Sequence, residues 1–127
     1  SVDGGSSWRD TSGDYQYATI AGNSAGTGVV TGNSASATEL LIQNNSSCQW
    51  ATAGRGSLIF YLYDPSRTST PRVMDWTHIS VDDTPHTGRH TGAGSFKGAT
   101  TAINGVSFYN TSGNIAGTFR LYGLSDS

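Results

Sequence analysis

Residues 78–90 hold three histidines and two aspartates, the densest group of side chains in the chain that can do acid–base or metal chemistry. His86 and His90 are four residues apart, a spacing that presents two metal ligands together only on a helix. The proline and glycines of residues 84–92 favour a loop instead. A loop can also gather ligands, so a metal site at His78, His86 and His90 stays open beside a second interpretation, a polar, mobile loop. We predict no bound metal and no other cofactor.

Residues 22–26 read Gly-Asn-Ser-Ala-Gly and match the G-x-S-x-G pattern of a nucleophilic serine. That chemistry needs a strand before Ser24 and a helix after it. The glycines and β-branched residues that follow do not start a helix, and such a match arises easily in a chain rich in Gly and Ser. We therefore predict no catalytic serine.

Carboxylates are the remaining candidates for catalysis, since a glycosidase needs two of them about 5–10 Å apart. The aspartates available for such a pair are Asp64, Asp75, Asp82 and Asp83. A polysaccharide-degrading enzyme remains an alternative, although we predict that the chain is not an enzyme. Cys48 is the single cysteine, cannot form an internal disulfide, and is expected to be a small buried hydrophobe.

Tryptophans beside loops point to binding rather than catalysis. Trp8 and Trp50 flank polar stretches, where an exposed indole can stack on a sugar ring, whereas Trp76 alternates with Met74 and is predicted to lie in the core. The residues that we predict to form a binding site are Trp8, Trp50, His86, Arg89 and His90.

The composition restricts the choice of partner. Ser, Thr, Gly and Asn make up 58 of the 127 residues, charged residues are 13%, and the net charge is −2. An average soluble chain carries about 25% charged residues. Duplex nucleic acids and anionic membranes are bound through clustered Lys and Arg, so neither is an expected partner. The longest apolar run, residues 58–63, is far shorter than the roughly 20 residues of a membrane-spanning helix. We expect neutral partners, either sugars or other copies of the chain.

Apolar residues recur with a period of two in several short bursts, and the length suits one domain, residues 1–127. Strands are predicted at residues 15–21, 37–43, 57–64, 72–81, 103–109 and 115–124. The last two are separated by a turn at 110–114 and should form a hairpin. Residues 57–64 are apolar on both faces, which suggests a strand buried between two layers. Polar, glycine-rich stretches at 22–36, 44–56 and 82–98 are predicted as loops. The fold class is therefore all-β, an antiparallel β-sandwich of the jelly-roll kind.

The two ends of the chain carry a more specific signal. Residues 103–109 read INGVSFY, residues 112–124 read SGNIAGTFRLYGL, and residues 3–8 read DGGSSW ahead of a Y-Q-Y triplet at 15–17. These stretches resemble the closing hairpin and an early element of a β-sandwich domain found in bacteriophage virion proteins, tail fibres among them. The middle of the chain is similar only in its strand pattern.

The resemblance implies a virion surface or fibre component, commonly a homotrimer, and it brings no catalytic residues. A strand usually precedes the D-G-G-S element in that family. We therefore expect that the chain lacks this strand or receives it from a neighbouring subunit.

The leading expectation for function is recognition of host-surface glycan by the three predicted loops. The alternative is a capsid decoration or cement protein, which binds other virion proteins. Nucleic acid binding and membrane insertion are not expected.

Overall fold

A computed structural model describes residues 1–24, 29–43, 55–68, 71–81, 86–110 and 115–124. Within these ranges the regular structure is entirely β, with five strands and no helix. The strands are β1 (Tyr15–Asn23), β2 (Val29–Ala37), β3 (Arg55–Leu62), β4 (Arg72–Val81) and β5 (Thr87–Phe96). The described part of the chain accordingly holds no helix long and apolar enough to span a membrane.

The five strands form one open antiparallel sheet in the order β2-β1-β5-β4-β3. β1–β2 and β3–β4 are pairs of strands consecutive in the chain, and β5 lies between the two pairs. Tyr15 and Arg72 both lie opposite Phe96 at one end of β5. The edges of the sheet are therefore β2 and β3, and the last strand in sequence is the central one.

Alternating apolar residues predicted three strands correctly. The predicted strand at 72–81 is confirmed with the same bounds as β4, and those at 15–21 and 57–64 correspond to β1 and β3. In β4 the alternation places Met74 and Trp76 on the buried face, as expected. The all-β class follows from the described strands.

Other local predictions were wrong. The loops predicted at 22–36 and 82–98 contain most of β2 and all of β5, because glycines and threonines occupy strand positions there. The strand predicted at 37–43 is absent beyond Ala37, where β2 ends. Within the described parts of 103–110 and 115–124 no residue belongs to a strand, and the turn at 111–114 lies outside the described residues.

One face of the sheet, here called the inner face, carries the core. Trp76 is 1% exposed, and its indole Nε1 donates a hydrogen bond to the carbonyl of Ile42, 3.3 Å away. Phe60 lies 6.4 Å from the Trp76 ring, and Phe108 meets Phe60 edge-on with the ring centroids 5.4 Å apart. Irregular segments before β3 and after β5 therefore cover this face.

A buried arginine connects the segment after β5 to the sheet by hydrogen bonds. The guanidinium of Arg72, at the start of β4, donates to the carbonyl oxygens of Ala99 and Thr101 and lies 5.1 Å from the Phe96 ring centroid. The side chain is buried, so carbonyl dipoles and the ring face stabilise its charge where water cannot. These hydrogen bonds hold residues 99–101 beside the start of β4.

Candidate binding surface

The opposite face of the sheet, here called the outer face, is largely exposed among the described residues. Its large apolar side chains are half exposed: Ile20, Ile59, Tyr61, Val73 and Ile79. The expectation that residues 57–64 lie buried between two layers is wrong for this side of β3, since Ile59 is 54% exposed. An exposed apolar surface of this kind is typical of an interaction site.

Two tyrosines and an aspartate contact one another on the outer face. Tyr61 and Tyr63 are 44% and 49% exposed, with ring centroids 6.3 Å apart and planes inclined by only 25°. The Tyr63 hydroxyl donates a 2.9 Å hydrogen bond to Oδ2 of Asp75, which lies directly opposite Tyr61 in the ladder. This bond to a carboxylate raises the pKa of the Tyr63 phenol, so the hydroxyl keeps its proton.

Small side chains continue the row that begins with Tyr61 and Asp75. Across the sheet from Asp75 lies Ala93 in β5, and beyond it Ala18 in β1. Both alanines are exposed. The row that begins with Tyr61 and Asp75 therefore continues across β5 and β1 with two short, exposed side chains.

The charges on the strands are few and well separated. Asp75 is the only acidic residue in the five strands. Arg55 and Arg89 flank the other end of β4, opposite Val81 and Ile79 respectively. Residues 75 and 79 of one strand are about 13 Å apart, beyond the roughly 8–10 Å over which exposed charges interact. The tyrosine end of the outer face therefore has a mildly negative character.

The structure separates the histidines that the sequence groups together. His78 and His90 are directly opposite each other on the inner face, both buried, with ring centroids 5.6 Å apart. Burial, followed by the charge of His90, lowers the pKa of His78 to about 4, and burial also lowers the pKa of His90. His90 belongs to a strand and does not reach solvent, so the mobile-loop interpretation is wrong for this residue.

The other described residues of the predicted binding site lie on different parts of the chain. Arg89 is exposed on the outer face, His86 precedes β5 and is half-buried, and Trp8 is exposed in the N-terminal segment. Trp50 lies outside the described residues. Across the described ranges, no three His, Cys, Asp or Glu side chains form a group able to hold a metal ion.

Hydroxyl and carboxylate groups that suggested catalysis have local structural partners. Ser24 exchanges hydrogen bonds with Thr87 across the end of β1: its backbone N–H donates to the Thr87 carbonyl, and its Oγ accepts from the Thr87 N–H. Asp64 has a positive φ of 44° and accepts a hydrogen bond from Ser66 Oγ within a turn. Asp82 and Asp83 lie outside the described residues.

The N-terminal D-G-G-S element is a tight turn that contacts the segment after β5. Gly4 and Gly5 both have positive φ, and the Asp3 carboxylate accepts hydrogen bonds from the Ser7 side chain and backbone, which lower its pKa. The amino group of Ser1 donates to the Gly105 carbonyl, and the Gly4 N–H donates to the Asn104 side chain, both within 2.9 Å. The first residues and the I-N-G-V stretch are therefore in direct contact.

Residues 115–124 form the most exposed apolar segment that the structure describes. Phe119 stacks on Phe108 with the ring centroids 6.4 Å apart, but Leu121 is 99% and Tyr122 74% exposed. Leu124 is also exposed. Several large apolar side chains so close in sequence rarely stay in water without a partner.

Sequence reasoning did not single out Tyr61 and Tyr63. Their alternation with Leu58, Phe60 and Leu62 was interpreted as burial on both faces, whereas β3 is an edge strand with one exposed face. The sequence did contain a difference between the two faces of residues 58–63. The inner positions hold only Leu and Phe, whereas two of the three outer positions hold tyrosine. The chain matches no protein-family model, and neither the curated proteins nor the solved structures include a significant match.

Proposed function

We propose that this chain is a non-catalytic attachment module of a bacteriophage particle that binds neutral glycan on the host surface. The observation that carries the proposal is the outer face, which combines exposed aromatic and hydroxyl-bearing side chains with little charge. Neutral glycans present C–H groups to aromatic faces and hydroxyls to polar side chains, so such a surface complements them.

The placement in a virion rests on the two terminal stretches that resemble phage virion domains. In the structure these stretches touch, because Ser1 and Gly4 hydrogen-bond to residues 104 and 105. The glycines of the D-G-G-S element have the positive φ that its turn requires. The two stretches are therefore in contact in the fold, which supports treating them as parts of one sequence pattern.

A second layer over the inner face is part of the proposal. The rings of Trp76, Phe60, Phe108 and Phe119 form a continuous chain of contacts from the sheet outwards, each centroid within 6.4 Å of the next. We propose that residues 103–110 and 115–124 contribute to this layer, as in a β-sandwich of the jelly-roll kind. A homotrimer is the assembly that the resemblance suggests.

The test is binding of the purified chain to a panel of immobilised bacterial surface glycans, neutral and anionic. Binding to at least one neutral glycan, with no release of reducing sugar from it, is the expected result. Absence of binding to every glycan at millimolar concentration contradicts the proposed function. Asp75→Asn and Asp82→Asn test the enzyme alternative, since a loss of turnover in one of these variants is needed to support a hydrolase.

A capsid decoration or cement protein is the second candidate. The exposed apolar residues of 115–124 favour it, because a protein partner would cover them better than a sugar. Such a protein binds the capsid and no glycan. Cosedimentation of the purified chain with phage capsids that lack it, together with a blank glycan panel, would select this function.

A further inference from the structure

We propose that Tyr61, Tyr63 and Asp75, here called the tyrosine subsite, bind one pyranose unit of a neutral glycan. The inference rests on the proposed function and assigns the contact to residues outside the set predicted from sequence. It follows from the geometry of the outer face at the edge of the sheet.

The rings supply the apolar part of the contact. Tyr61 and Tyr63 are exposed, nearly parallel, and on the same side of β3 because they are two residues apart in an extended strand. A tyrosine has few rotatable bonds, so it offers a large contact area at a low entropic cost. The electron-rich face of each ring attracts the C–H groups on one side of a pyranose.

Asp75 supplies the polar part. The Tyr63 hydroxyl occupies one acceptor position on Oδ2, and an ionised carboxylate has about four such positions. The others remain able to accept from two adjacent sugar hydroxyls. The same hydrogen bond holds the carboxylate and the Tyr63 ring in fixed positions before a ligand arrives, which reduces the ordering cost of binding.

The two alanines beside the subsite leave room for the rest of an oligosaccharide. Ala93 and Ala18 continue the row from Asp75 with the smallest side chains on this face, so an oligosaccharide can pass over them without a clash. Their exposure means that no described residue covers this path.

The charge distribution selects among ligands. Asp75 would repel phosphate, sialic acid or a nucleic acid backbone. Arg72 of the same strand is buried, and the exposed arginines of the strands, Arg55 and Arg89, flank the opposite end of β4. A neutral oligosaccharide carries no charge for Asp75 to repel.

The experiment measures the affinity of the full chain and its variants for the neutral glycans of the panel. Tyr61→Ala should weaken binding about tenfold or more, as expected for the loss of an aromatic contact. Tyr109→Ala, which removes an exposed tyrosine outside the sheet, is the matched control and should bind like the wild type. Asp75→Asn keeps the shape of the side chain and should also weaken binding.

Folding of each variant is checked by its thermal unfolding midpoint, and soluble neutral hexasaccharides provide a direct readout. During their titration, the ring-proton NMR signals of Tyr61 and Tyr63 should shift and those of Tyr109 should not. If the wild type binds a neutral glycan but Tyr61→Ala binds equally well, the subsite is refuted and the proposed function stands. If the wild type binds none of the panel, both are refuted.

Discussion

At the residue scale, the glycines of β5 explain why a central strand is hard to find in the sequence. A β-carbon added at Gly92 would lie 2.6 Å from Cε2 of Trp76, and one at Gly94 would lie 2.8 Å from the Gln16 carbonyl oxygen. Glycine is needed there so that the Trp76 ring and the neighbouring backbone can approach. The apolar alternation that identifies β4 is therefore missing from β5, because three of its five inner positions, residues 88, 92 and 94, are glycines.

Gly92→Ala should destabilise the fold by about 1–3 kcal/mol, because the Trp76 ring must move to make room. Urea unfolding measures the effect. Gly22→Ala is the matched control, since an added β-carbon there meets nothing within 4 Å, and it should change stability by less than about 0.5 kcal/mol. Equal midpoints for the two variants would argue against close packing of Trp76 on β5.

The buried histidine pair should make stability depend on pH. The pKa of His78 falls from 6.5 to about 4 on folding, so the unfolded chain binds more protons between these values. The stabilisation is complete above about pH 6.5 and is lost as the pH falls towards 4, by at most about 3 kcal/mol. Urea unfolding at pH 7.5 and pH 4.5 measures this loss. His78→Phe should reduce it, and an unchanged pH dependence in that variant would count against the assignment.

At the element scale, hydrogen-bonding partners decided which alternating segments became strands. β4 was predictable because its apolar positions alternate and neighbours pair with both of its edges. Residues 103–110 show the same alternation, but their backbone bonds are isolated ones, from Ile103 to Pro65 and from Asn104 to Ser1. Alternation predicts which side chains turn inwards, whereas a strand also needs a continuous partner, and that partner is remote in sequence.

The Arg72 contact provides a test of how the segment after β5 is held. Arg72→Met keeps the length of the side chain but loses the bonds to Ala99 and Thr101, leaving their carbonyls without this donor. We expect a loss of about 2–4 kcal/mol in unfolding free energy. Arg55→Met, on the exposed side of β3, should change stability by less than about 0.5 kcal/mol. A small effect at Arg72 would mean that this segment is held mainly by its apolar contacts.

At the scale of the whole molecule, the low charge and exposed apolar groups are consistent with a chain that works in an assembly. The sequence predicted the all-β class and the Trp76 core, but the tyrosine subsite became visible only from the strand order. That order makes β3 an edge and places Asp75 opposite Tyr61. Local pattern carries no information about which strands become neighbours.

The proposed homotrimer predicts self-association of the chain, and we propose the exposed apolar residues of 115–124 as its interface. Native mass spectrometry should show a species of three times the 13.3 kDa chain mass. Leu121→Asp should abolish it, because a charge at this fully exposed apolar position opposes burial in an interface. Val29→Asp, at an exposed apolar position of the β2 edge, is the control and should leave the trimer intact. A wild-type chain that stays monomeric would contradict the proposed assembly.

The central position of β5 has a consequence for how the sheet comes together over time. β1 is close in sequence to β2, and β3 to β4, so each of these pairs can form early. Tyr15 of β1 pairs with Phe96 of β5, which is 81 residues further along the chain, so the two pairs of strands join only after this distant contact has formed. Closing so long a loop is slow, whereas β5 pairs with β4 across a short connection. The transition state for folding should therefore include docking of β5, already paired with β4, against β1 of the first hairpin. During synthesis the first four strands would leave the ribosome with two unsatisfied inner edges. The time until residues 87–96 emerge is then the period in which the nascent chain is most open to pairing with a neighbour.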